Sequence, residues 1–177
     1  MALTEREFWA LIHGMVLGAL FLLAFGGGLA GLYSLRENLL TAEGVRERTS
    51  RLLAGTSIMA VVAWLTVITG TWIVYPWYRA VPPEGTTDFT KFPKSLLLAS
   101  PDTAEWHNFG MEWKEHVAWL APFMATAVGF AVAYYGIQLI RHGEIRRAAL
   151  VFFTLAFVAA GIAGLLGALI TKTAPVA

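Results

Sequence analysis

The chain has 177 residues, of which 57% are hydrophobic and only 14% charged, with a formal net charge of +1 and no cysteine. Ordinary soluble domains carry about 25% charged residues; a net charge of +1 says nothing of nucleic acid, and no basic low-complexity tract suggests it as a partner. Without cysteine, disulfides, thiolate metal ligation, iron–sulfur clusters, c-type haem attachment and dithiol redox chemistry are all excluded.

The charges are clustered, leaving four uncharged runs at residues 8–35, 52–78, 117–140 and 148–171. Each has at least 24 residues, where about 20 helical residues span the hydrocarbon. Backbone groups in lipid must be satisfied within the chain, so the runs are helices. The expected fold is an all-α, integral membrane four-helix bundle forming one transmembrane domain over 1–177. Its helices are placed at about 5–35, 52–78, 103–140 and 148–171, with one long loop at 80–100. The first run is too long for a signal-peptide core and reads as a retained helix.

In chain order, residues 2–7 make a polar start with Thr4 as N-cap and Glu5 and Glu7 in the first turn. The first helix carries His13, with Gly14 and Gly18 after it and further glycines at 26–28 and 31. Such spacing lets a neighbouring helix or a flat ligand approach the backbone. Residues 36–51 read as a charged connector. The second helix ends in Tyr75, Pro76, Trp77 and Tyr78, where the proline bends the last turn and the aromatics suit an interface. The 80–100 loop, with Pro82, Pro83 and Pro93, is long enough to be functional or to cover something. Asp102 is expected to cap the third helix, and Pro122 to bend it. Residues 141–147 form a basic turn, and the fourth helix has Gly161, Gly164 and Gly167 but no internal ionisable residue.

An even number of helices puts both termini and the 80–100 loop on one side. The opposite side holds the 36–51 and 141–147 connectors, which are compact and arginine-dense. The positive-inside rule then makes them cytoplasmic and both termini outer or periplasmic. Six of the seven tryptophans (Trp9, Trp72, Trp77, Trp106, Trp113 and Trp119) fall towards that outer side.

Ionisable side chains near lipid are expensive and mark functional candidates. His13 lies 23 residues before Arg36, and His116 lies 25 before Arg141. At 1.5 Å per residue these are roughly 35 and 38 Å, so the two imidazoles come out near one depth. Facing helices that each supply an imidazole can ligate both axial positions of a haem iron. Gly14 would leave room for the macrocycle, and Arg79, Lys114 and Lys91 or Lys94 could meet its propionates. The alternative without cofactor has His13 bonded to a carbonyl or threonine in a polar core and His116 exposed. His107, nine residues before His116, lies on another face of the helix. With Glu105, Asn108 and Glu112 it suits a quinone headgroup, a proton path, a metal or merely a solvated helix start. His142 reads as interfacial.

With four apolar helices, histidines on two of them and no soluble catalytic domain, the chain resembles membrane-embedded b-type cytochrome subunits. Helices two and four lack histidine, so the resemblance implies at most one haem b, with His13 and His116 as axial ligands. It also implies other membrane subunits as partners and electron relay between a quinone pool and a periplasmic carrier. The setting would be a respiratory or photosynthetic complex in a bacterial inner membrane, with no catalysis by this chain alone. A cofactor-free anchoring subunit of such a complex stays open beside it. A transporter is disfavoured, since no buried acid or broken helix is evident at mid-membrane.

Overall fold

The computed structural model of the chain describes residues 3–36 and 41–175, so Ala2 of the polar start and residues 37–40 of the first connector lie outside it. It is all-α, with no strand among the described residues. Four helices are long and apolar enough to cross a membrane: α1 (Glu5–Ser34), α2 (Gly44–Tyr78), α4 (Pro101–Ile140) and α5 (Gly143–Thr173). A short α3 (Pro93–Leu98) lies in the connector before α4. Only 17–33% of the most apolar window of each long helix is buried within the chain. Leu23, Phe130 and Tyr134 stand open among many other large apolar side chains. So much exposed apolar surface suits lipid rather than water.

Helix boundaries follow local chemistry. Thr4 accepts the Glu7 amide at 3.2 Å while Glu7 accepts the Thr4 amide at 2.8 Å, closing a capping box as expected. At α4 the cap is Ser100 rather than Asp102; its hydroxyl accepts the Asp102 amide at 3.3 Å. Pro101 has no N–H to satisfy and a preset φ, so it takes the first helical position and leaves Asp102 in the first turn, where its charge meets the helix dipole. The expected 36–51 connector is shorter than its charge suggests. Helical geometry begins at Ala42, because arginine and glutamate are good helix formers and Glu47 pairs with Arg51 one turn on. For the same reason α5 starts at Gly143 and absorbs most of the 141–147 turn.

Two compact units partition the chain. The first comprises Met1–Gly18, Leu65–Trp119 and Ala160–Ala177. Its core gathers Tyr78, Leu97, Met111, Ile170 and Ala174, with Tyr75, Leu96 and Trp106 packed around them. Leu97 on α3 is fully buried there, so the end of the 80–100 connector docks onto this core.

The second unit comprises Ala19–Trp64 and Leu120–Ala159. Glycine governs its packing. A Cβ on Gly28 would lie 2.6 Å from the fully buried Phe153 ring, and one on Gly55 would lie 3.5 Å from the Gly28 backbone. Phe25 stacks on Phe157 at 4.0 Å and on Phe153 at 5.5 Å. Arg146 donates to the Leu35 carbonyl at 2.7 Å, satisfying an acceptor that the end of α1 leaves without an intrahelical partner.

A candidate functional site on wound-out helix turns

Four stretches of α1, α2 and α4 depart from α geometry in the same unit. π-Helical turns occupy Ile12–Val16, Gly70–Val74, Trp106–Met111 and Trp113–Val117. Such turns are rare and recur at functional positions. Two have an evident origin. Pro76 and Pro122 lack the N–H that would bond Trp72 and Ala118, and the helix takes up the mismatch in the preceding turns. The expected bend at Pro122 therefore falls just before it, at a turn over residues 118–119. Wider helical turns are thus present on three of the four long helices.

These turns carry His13, His107, Lys114 and His116. His13 is half-buried, and its Nδ1 lies 3.1 Å from the Thr69 hydroxyl oxygen. The Thr69 hydroxyl has one proton, and it donates to the Leu65 carbonyl at 2.8 Å or the Thr66 carbonyl at 3.1 Å. The same proton can instead point to a bare Nδ1 of His13, so these distances define a Thr69–His13 hydrogen bond and leave its direction to the tautomer; the Thr66 backbone also bonds the ring. Gly70 makes room for this ring, since a Cβ there would sit 2.8 Å from His13 Cε1. Beside His13, a Cβ on Gly14 would meet nothing within 4 Å, so this face of α1 is open.

The surroundings of His116 define its tautomer. Its Nδ1 lies 3.1 Å from the Glu112 carbonyl, which can only accept, and 3.2 Å from the Glu112 carboxylate. The proton of the neutral ring is therefore on Nδ1, and Nε2 makes no protein hydrogen bond among the described residues. The ring is 70% exposed. Among the described residues no hydrogen bond, ion pair or ring contact joins His116 to His13. A His13 bonded to threonine and an exposed His116 also match the arrangement expected without cofactor.

Lys114 turns inward. Its ammonium donates to the Ala163 carbonyl at 3.1 Å and fits against Gly167, where a Cβ would be 2.8 Å from Nζ. It is an electrostatic neighbour of His13. Arg79 is exposed, donates to the Tyr75 hydroxyl at 2.8 Å and lies over that ring. His107 faces Tyr78, with Nδ1 2.9 Å from the phenol oxygen, while the exposed Glu112 serves His116 instead. Asn108 donates to Glu105 at 3.4 Å. His142 packs edge-on against Tyr135. No group of three or more histidine or carboxylate residues could hold a metal ion among the described residues.

The fold and these turns define a helical membrane protein with a histidine-bearing site on wound-out turns. No family model, no curated protein and no solved structure matches the chain, so function is read from the chemistry of the site.

Proposed function

We propose that the chain is a membrane b-type cytochrome subunit, holding one haem b through Nε2 of His13 and Nε2 of His116. The supporting observation is that each ring has Nδ1 hydrogen-bonded to an oxygen, of Thr69 for His13 and of the Glu112 carbonyl for His116. Metal-ligating histidines almost always use their other ring nitrogen in such a bond. The donor chemistry thus fits a porphyrin iron, and the open backbone at Gly14 fits a flat macrocycle. A bound haem would supply one-electron exchange. Thr69 fixes the His13 ring, the Glu112 carbonyl fixes His116, and the exposed Arg79 is the cation that could meet a propionate, Lys114 being turned onto the Ala163 carbonyl. The subunit would pass electrons between a quinone pool and a periplasmic partner within a larger complex of the bacterial inner membrane, both termini facing outward.

A second reading, a cofactor-free anchoring subunit, is favoured by the 70% exposure of His116. A reduced-minus-oxidised visible spectrum of the purified protein separates the two. A b-type spectrum lost in His13→Ala and His116→Ala supports the cytochrome. A clean preparation without a Soret band that takes up no added haem leaves the anchoring role.

A further inference from the structure

Away from the histidine-bearing turns, positive charge gathers in the other unit. The stretches Ala19–Trp64 and Leu120–Ala159 hold seven arginines against four carboxylates, Glu37, Glu43, Glu47 and Glu144. Every Lys or Arg position there is arginine, whereas Lys91, Lys94, Lys114 and Lys172 all belong to the first unit. Arginine presents a planar fork of donors that matches a phosphate, where lysine offers a point charge.

Three of these guanidiniums converge on the end of α1. Arg146 of α5 donates from Nη1 to the Leu35 carbonyl at 2.7 Å, with the Ile140 carbonyl at 3.4 Å. Arg48 of α2 reaches the preceding carbonyl, that of Ser34, at 3.5 Å, again through Nη1. Arg36 follows next in the chain and lies over the exposed Tyr33 ring, 4.3 Å from its centre. Among the described residues none of the three is in an ion pair; the pair at this end joins Arg51 to Glu47. A guanidinium carries five N–H groups, so Nη1 anchors Arg48 and Arg146 to backbone while Nη2 and Nε remain for a ligand. The end of a helix offsets only about half a charge, which leaves the three cations in excess.

Their depth is that of lipid headgroups. The uncharged run 8–35 stops directly before Arg36, and the run 148–171 starts directly after Arg147. Basic pockets between membrane helices bind anionic headgroups. We propose that Arg36, Arg48 and Arg146 form a site for the phosphate of an anionic glycerophospholipid. A choline or ethanolamine ammonium would add a cation to a cluster without a partner carboxylate among the described residues, so the site selects a headgroup of net negative charge. It is independent of haem.

The test is native mass spectrometry of the purified full chain in detergent, titrated with phosphatidylglycerol or phosphatidylcholine, with inorganic phosphate as competitor. The expected result is tighter binding of phosphatidylglycerol than of phosphatidylcholine, undisturbed by an equal concentration of inorganic phosphate. Arg36→Gln with Arg48→Gln should weaken phosphatidylglycerol about 25-fold, at roughly fivefold for each arginine. Arg141→Gln with Arg147→Gln removes the same charge from the same unit, but neither side chain bonds the end of α1, and most of the affinity should remain. Arg36→Gln alone breaks no backbone hydrogen bond and should give the single fivefold step at an unchanged melting temperature. Equal losses in the two double variants would reduce the site to the diffuse field of a basic surface and overturn it. Phosphatidylcholine bound as tightly as phosphatidylglycerol, or lipid displaced by inorganic phosphate, would overturn it as well, the latter by showing a site for a free anion.

Discussion

Substituting Gly70→Ala is the sharpest probe of how the His13 ring is held. The added Cβ would start 2.8 Å from His13 Cε1, where ordinary contact begins near 3.4 Å, so the ring must retreat by at least 3.4 − 2.8, about 0.6 Å. The Nδ1 to Thr69 bond is already 3.1 Å long, and a retreat of that size carries it to the edge of hydrogen bonding. Overpacking typically costs about 1–3 kcal/mol, and a lost side-chain bond within a membrane averages about 0.6 kcal/mol. Replacing a helical glycine by alanine returns up to about 1 kcal/mol. The net expectation is destabilisation of roughly 1–2 kcal/mol with altered His13 nitrogen shifts. Gly14→Ala is the control, one residue from the same ring but with open space around its Cβ, and should be neutral or stabilising. Reversible unfolding in bicelles and histidine NMR read both effects. Equal stability of the two variants, with His13 signals unchanged in Gly70→Ala, would refute the packing of Gly70 against the ring.

Three further outcomes are expected. Gly28→Ala drives a Cβ to 2.6 Å from the buried Phe153 ring and should cost about 1–3 kcal/mol, partly recovered with Phe153→Leu in a double-mutant cycle; additive effects would contradict the contact. Arg146→Gln should cost about 1–3 kcal/mol by stranding the Leu35 carbonyl, read as a lowered melting temperature, and an unchanged one would show the carbonyl to be satisfied otherwise. In the 80–100 connector, hydrogen bonds from Thr90 hold the Asp88 carboxyl below its usual range. A depressed carboxyl adds stability above its unfolded pKa that is lost as pH falls through the folded one. Thr90 amide protection should therefore decline below about pH 4 in the wild type and show no such step in Asp88→Asn.

The spans were legible because lipid demands long uncharged helices, and residues 8–35 or 148–171 admit no other reading. Helix starts were less so. Arginine and glutamate after residue 42 look like a connector by polarity yet are good helix formers, and Pro101 displaced the cap from Asp102 to Ser100. The π turns had only a partial signal. Pro76 and Pro122 foretell missing amide donors, but nothing in Ile12–Val16 announces a wider turn around His13. Pairing by depth suggested that His13 and His116 matter, while their bonding partners, Thr69 and the Glu112 carbonyl, depend on helix rotation that residue spacing leaves free. Lys114 looked like an outer-edge cation and instead points at Gly167, because only a glycine on the neighbouring helix admits its ammonium. His107 was grouped with Glu112 by proximity along the chain, whereas it meets Tyr78 from another helix.

The most direct test of the proposed ligation is the low-temperature electron paramagnetic resonance spectrum of the oxidised, purified protein, with His13→Ala and His116→Ala beside it. Two axial imidazoles predict a low-spin ferric signal that turns high-spin or disappears in each variant. A protein that binds no haem, or a low-spin signal that survives either substitution, would contradict His13 and His116 as the axial pair.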